Sequence, residues 1–135
     1  MKIVLNTNCL LQILGAKSKY AFLLDKFIQG EYTLCISSEI LLEYEEIIKA
    51  KASPVAADLF MKLLSRSRNV IRKDPYFRLR IIKQDNDDNK FTDCAFACDA
   101  DAIVTNDNHF ADAAQSPFPT FNVVSLDDFT KLLKP

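Results

Sequence analysis

Short apolar runs alternate with helix-patterned stretches along the whole chain, and this alternation limits the possible folds more than any other feature. The runs are KIVL at residues 2–5, YTLCIS at 32–37, NVIRK at 69–73, DAIVT at 101–105 and TFNVVS at 120–125. Each is too short for a buried helix and is rich in residues that favour strands. Helical signals fill the intervals. Thr7 or Asn8 can cap a helix running through CLLQIL to Gly15. SKYAFLLDKFIQG has apolar residues at 21, 23, 24, 27 and 28, with Ser18 as a start signal and Gly30 as a stop. SSEILLEYEEIIKAKA is amphipathic behind Ser37 or Ser38, with acids in its first turn. SPVAADLFMKLLSRSR starts with Ser53 as cap and Pro54 at the first helical position. Asp74-Pro75 ends the third strand, and DNDDN forms a polar turn before the acid-capped helix DNKFTDCAFACDA. NDNHFADA reads as a loop with a short helix, and Ser125 opens the last helix, LDDFTKLLK.

This order predicts an α/β fold: a three-layer α/β/α sandwich around a central, mostly parallel sheet of about five strands, in one domain spanning residues 1–135. At 135 residues, 49% hydrophobic and 26% charged, the chain suits a soluble globular domain that needs no staples. No apolar run approaches the roughly 20 residues that span a bilayer, so no membrane association is expected. The opening stretch is interrupted by Asn6, Asn8 and Gln12 and reads as part of the fold, not as a signal peptide. Cys9, Cys35, Cys94 and Cys98 form no CxxC pair, which fits reduced, buried thiols and a cytoplasmic setting. With His109 as the sole histidine, a zinc site is not expected. Two glycines in the whole chain leave no glycine-rich phosphate loop, which excludes Rossmann and P-loop nucleotide binding.

Net charge is −1, so nonspecific electrostatic attraction to nucleic acid is weak overall. The charges are nevertheless segregated. Residues 66–83 hold seven basic side chains and a single acid, and residues 85–107 hold seven acids and a single base, Lys90. Two readings stay open: solvated faces of opposite sign, or a phosphate-contacting rim beside a cation-binding cluster.

In open parallel sheets the reactive crevice lies beyond the carboxyl ends of the strands. Strand one ends at Asn6 and Asn8, and strand four at Thr105 and Asp107. The acidic turn brings Asp88, with Asp93 five residues on, and the helix after strand two carries Glu43, one turn beyond Glu39. Carboxylates gathered in one cleft repel each other unless a cation sits among them, and an all-oxygen set favours Mg²⁺ or Mn²⁺. Each residue also has an ordinary explanation. Glu43 can be helix surface, Asp88 a cap, Asp107 a turn residue and Thr105 a backbone partner.

Three segments, IVLNTNCLLQIL, ISSEILLEYEEII and DNDDNKFTDCAFACDADAIVTNDNHF, resemble the PIN domain, in particular its prokaryotic branch of toxins from toxin–antitoxin pairs. The resemblance covers nearly the whole chain in the right order, and the last segment is the most specific. It implies a parallel sheet flanked by helices and an Mg²⁺- or Mn²⁺-dependent ribonuclease with three or four acids in its cleft. Carried over by motif, the second acid falls on Glu43, the third on Asp88 with Asp93 as a contributor, and the fourth on Asp107. Thr7, Asn8 and Thr105 fall on supporting polar positions. The first acid of the pattern, an Asp in Asp-Thr-Asn or Asp-Thr-Ser, is Asn6 in this chain. An amide oxygen can coordinate a hard cation but brings no charge, so the resemblance implies a site that binds metal weakly and cleaves slowly or not at all.

Two functions therefore stand side by side. One is an endoribonuclease acting by metal-assisted hydrolysis, with catalytic and metal roles for Glu43, Asp88, Asp107 and Asn6, a metal role for Asp93, and phosphate contacts from Arg66, Arg68, Arg72, Lys73, Arg78 and Arg80. The other is a PIN-like module that has lost catalysis and binds RNA or protein. A phosphoacceptor receiver domain would need paired acids after strand one and a strand-end lysine, and has neither. The implied partners are an RNA substrate, a small antitoxin and a second copy of the chain.

Overall fold

The computed structural model describes residues 1–76, 78–83 and 86–133. Asp85, which opens the expected acidic turn, and Lys134, which closes the expected last helix, lie outside them. The elements run β1 (Lys2–Leu5), α1 (Thr7–Leu14), α2 (Phe22–Ile28), β2 (Thr33–Ile36), α3 (Ser38–Lys51), α4 (Pro54–Arg66), β3 (Val70–Arg72), α5 (Asn89–Cys98), β4 (Ala102–Val104), α6 (Ala111–Ala114), β5 (Val123–Val124) and α7 (Leu126–Leu133). Short 3₁₀ turns at Asn86–Asp88 and Asn108–Phe110 lead into α5 and α6.

All four strand pairings are parallel, in the order β3-β2-β1-β4-β5. The chain first winds outward from β1 through β2 to β3, then crosses back to β4 and winds the other way to β5. Right-handed crossovers then put α1–α4 on one face and α5 on the other. The strand order reverses between β1 and β4, which is where an open α/β sheet leaves a crevice at its carboxyl edge. The register aligns Leu5 with Val104, so the two strands end together at that crevice.

Burial follows the sequence pattern. Ile3, Val4, Leu5, Leu34, Cys35, Ile36, Ala102, Ile103 and Val104 are all inaccessible in the sheet, as strands covered on both faces must be. α3 turns Ile40, Tyr44 and Ile48 inward at four-residue spacing, and α4 contributes Ala57, Phe60 and Leu64. The caps expected at Ser37 and Ser53 form: their hydroxyls accept from the N–H groups of Ile40 and Ala56, at 3.2 and 3.0 Å. Ser125 Oγ accepts the Asp128 N–H at 3.0 Å. Gly30 ends α2 at φ +81, a conformation that most side chains avoid.

Three starts differ from expectation. The cap of α1 is Asn6, one residue before Thr7, since the Asn6 carboxamide accepts the Asn8 N–H at 3.0 Å. The second helix begins at Phe22, because Ser18 spends its hydroxyl on the Tyr20 N–H in the preceding turn. Asp88 occupies the cap position of α5 but makes no side-chain capping bond. All four cysteines are free and buried, as expected. Burial pushes the Cys9 thiol up to about 11 and the Cys35 thiol up to about 12, so both stay protonated and inert near neutrality. Among the described residues no helix is long and apolar enough to cross a membrane.

One buried bond ties the two halves of the crevice together. The hydroxyl of fully buried Tyr44, on α3, donates to the Leu5 carbonyl at the end of β1. Tyr44→Phe removes that donor and leaves the ring in place. Unfolding free energy is expected to fall by about 1–2 kcal/mol, read from urea midpoints at unchanged m-value.

Candidate metal centre at the carboxyl edge

β1 delivers Asn6 to the crevice. Its N–H extends the β1–β4 ladder to the Val104 carbonyl at 3.0 Å, and its side chain is buried. The cap is what an aspartate would also make, so the local fold is served by either residue. Asn6, Asn8, Cys9, Gln12, Thr105, Asn106 and Asp107 line a cavity of about 280 Å³, which places the ends of β1 and β4 around one space.

β4 delivers Thr105 and Asp107. The Thr105 hydroxyl accepts the Asp107 N–H at 3.0 Å, and Asp107 Oδ1 accepts the His109 N–H at 2.9 Å. These two local bonds fold the strand end into a tight hook. The hook swings the His109 ring back toward the acids. His109 Nδ1 lies 3.4 Å from Asp107 Oδ1 and 3.5 Å from Asp88 Oδ2. Asp88 arrives at the start of α5. One ligand atom from each of Asp88, Asp107 and His109 lies within 4.8 Å of the others, and among the described residues no other three His, Cys, Asp or Glu side chains converge this way.

Glu43 and Asp93 stand outside that trio, and each has different company. Glu43 is held from two sides. The Thr7 hydroxyl donates to one carboxylate oxygen, and the Lys90 ammonium sits 2.8 Å from the other. Lys90, the second residue of α5 and mostly buried, thus supplies the positive charge nearest Glu43. Asp93 is 2% exposed. Its Oδ1 accepts the Leu79 N–H at 3.0 Å, while Oδ2 has no hydrogen-bond partner among the described residues. Asn89 grips the same connection through both Ile82 backbone groups, at 2.7 and 2.9 Å. Asp93 therefore laces the β3–α5 connection to α5. It also borders a second cavity of about 220 Å³ with Ser37, Glu39, Pro75, Tyr76, Arg78 and Lys90.

The basic side chains divide as well. Arg72 ends β3 opposite Ile36, at the carboxyl edge, and donates to the Ser38 hydroxyl at 3.0 Å. Arg78 pairs with Glu39 at 2.8 Å beside the second cavity. Lys73 and Arg80 are exposed on either side of Arg78, while exposed Arg66 and Arg68 flank the end of α4.

His109 is the residue sequence reasoning missed. It lacked the spacing of a zinc motif, and its partners lie 21 residues before and two residues before it. The available signal was local: an aspartate two residues upstream, at a strand end, can cap the turn that carries the ring.

A family model described as PIN domain matches residues 2–109. The chain belongs to the PIN domain family. Two solved structures share its fold. One is VapBC2 from Rickettsia felis bound to a DNA fragment from their promoter, at 17% identity and a TM-score of 0.62. The other is DNA-bound VapBC from Salmonella typhimurium, at 16% identity and a TM-score of 0.58. Each comparison covers 93% of this chain and 98% of the other. No curated protein matches the chain. The PIN match ends at His109, so the last residue of the trio is also the last residue the family model spans.

The residues present suit a divalent cation in part. Two carboxylates and an imidazole converge, and the crevice is lined by further oxygens from Asn6, Asn8 and Thr105. Asp93 offers a separate check on the electrostatics. Burial pushes its carboxyl above the usual range, and the Leu79 N–H and Arg78 only partly offset this. A folded pKa above the unfolded one means full stability at acid pH, lost as pH rises through the folded value. Asp93→Asn keeps an acceptor for Leu79 and removes the buried charge. Its urea midpoint should exceed that of the unmodified chain at pH 7, and the gap should close as pH falls through the carboxylate range.

Proposed function

We propose that this PIN domain is a metal-dependent endoribonuclease and the toxin component of a toxin–antitoxin pair. The observation that supports it most is the convergence of Asp88, Asp107 and His109 at the β1–β4 switch point, on a fold shared with VapBC structures. Those two structures are toxin–antitoxin assemblies bound to DNA, which is the basis for including a small antitoxin among this chain's partners. RNA is the substrate class of the reading, and the cytoplasm its setting. A second copy of the chain would meet Leu42, Val55 and Leu59, which are exposed on α3 and α4.

In this reading Asp88 and Asp107 hold the ion, with Asn6 as a neutral oxygen beside them. When bound, a hard dication supplies Lewis acidity toward a phosphodiester and acidifies a water. The chain does the rest. The Thr105 hydroxyl and the Asp107–His109 cap fix the direction of Asp107 and His109 at the end of β4. Thr7 holds Glu43 toward the crevice, and Lys90 aligns that carboxylate while offering its remaining ammonium protons to a phosphate oxygen. Arg72, Lys73, Arg78 and Arg80, with Arg66 and Arg68 further along, would attract the RNA backbone. Asp93 contributes by holding the connection that carries Arg78 and Arg80 against α5.

One arrangement favours the second reading, a binding module without catalysis. Both oxygens of Glu43 are engaged by Thr7 and Lys90, and Asn6 brings no charge, so two of the pattern's four acid positions contribute little attraction for a cation. Cleavage of a labelled RNA with Mn²⁺ separates the readings. The nuclease predicts cleavage that EDTA abolishes, a loss of roughly 10²-fold or more in Asp107→Asn, and a gain in Asn6→Asp. Cleavage indifferent to EDTA and to Asp107→Asn would overturn it, and RNA binding without cleavage in either form would favour the module.

A further inference from the structure

We propose that His109 is a nitrogen ligand of the divalent ion and that it sets the ion's identity, favouring a transition-series dication such as Mn²⁺ or Co²⁺ over Mg²⁺. The inference rests on the metal-dependent reading above and adds to it a ligand and a selectivity.

The placement of the ring is the first ground. Nδ1 is nearly equidistant from two carboxylate oxygens on different elements, at 3.4 and 3.5 Å. Those separations are long for charge-assisted hydrogen bonds, which fall at about 2.7–2.9 Å. They match neighbouring ligands around one ion, since donors about 2.0–2.2 Å from a metal and side by side on it lie about 3–3.5 Å apart. The second ground is preorganisation. Asp107 fixes the histidine backbone through its cap at 2.9 Å, and Thr105 fixes Asp107 at 3.0 Å, so the ring is aimed by the fold. The third is charge. An oxygen-only site selects hard ions by the number of its carboxylates, and here Asn6 has replaced one such position with an amide. A neutral imidazole adds little attraction for Mg²⁺, which holds water tightly and prefers oxygen. It adds more for Mn²⁺ and more again for Co²⁺, because affinity for nitrogen rises from Mn²⁺ along the first transition series. The same substitution that weakens a magnesium site thereby leaves a site that nitrogen-accepting ions still fill.

His109 is the only histidine in the chain, so ¹⁵N-histidine labelling marks this ring alone. Mn²⁺ added to the labelled, unmodified protein should show an electron–nuclear coupling to ¹⁵N by pulsed electron paramagnetic resonance. Titration calorimetry should show that His109→Ala weakens Mn²⁺ and Co²⁺ by about tenfold or more, with Mg²⁺ changed by less than about threefold. The His109 side chain is 43% exposed, so the variant leaves the core intact. Mn²⁺ that binds without nitrogen coupling, and is lost in Asp107→Asn but not in His109→Ala, would overturn the histidine ligand and keep the acidic site. Equal weakening of all three ions in His109→Ala would overturn the selectivity. An unmodified protein that binds none of them would overturn both this inference and the metal-dependent nuclease.

Discussion

Parallel pairing of β1 with β4, at the point where the strand order reverses, is the constraint on which the site depends. Its last rung is the Asn6 N–H to the Val104 carbonyl, which brings two strand ends side by side although they are almost a hundred residues apart in sequence. The candidate site hangs from that rung. Asn6 starts α1 and presents Thr7. The hook after Val104 presents Asp107 and His109. α3 reaches the same place because Tyr44 is bonded to Leu5, one residue before the rung. A shift of register would separate the acids and unfasten Glu43 at once, since Asn6 and Asp107 are placed by bonds to backbone N–H groups and Glu43 hangs on Thr7, the first residue after Asn6.

The crevice then faces a problem of charge. Carboxylates brought together in a partly desolvated space raise each other's energy. The structure answers with three separate devices. Lys90 neutralises Glu43 within the chain. Asn6 keeps the capping bond of an aspartate while dropping its charge. His109 stands between Asp88 and Asp107. Together they let the fold hold its acids in place ahead of any ion, at the expense of some attraction for one. In the proposed reading such a site would select an ion by the geometry and softness of its donors more than by its summed negative charge.

Periodicity carried most of the architecture. β1, β2, α3 and α4 appear where apolar spacing, Ser37, Ser53 and Pro54 put them, because those signals are local and uncontested. The misplacements arose where two local bonds competed. Ser18 could cap a helix or close a turn around Tyr20, and the structure uses it for the turn. Asn6, Thr7 and Asn8 can all cap, and the choice was settled by the β1–β4 rung, a tertiary contact that spacing does not encode. The site was readable one residue at a time and not as a set. Asp88 and Asp107 were identified from their positions at element ends, but their meeting with His109 depends on the crossover from β3 back to β4. Lys90 was visible only as the single base in an acidic segment. Its pairing with Glu43 requires α3 and α5 to touch across the crevice, which no sequence spacing states.

The boundary between the basic and acidic segments acquires a physical meaning in the folded chain. Arg78 belongs to the first and Asp93 to the second, yet both face one cavity with Glu39 and Lys90. The two segments therefore fold against each other instead of forming separate faces, and Asp93 and Asn89 are the clasps. Charge segregated along the chain becomes charge interleaved in space. Such a rim can hold a polyanion by its exposed arginines without flooding the crevice with positive field, because Glu39 and Glu43 already occupy the cations nearest the acids. That division of labour explains how a chain of net charge −1 can keep a strongly basic stretch beside an acidic cleft. Arg66, Arg68 and Arg80 stay exposed, while Arg78 and Lys90 are each engaged by a glutamate, Glu39 and Glu43.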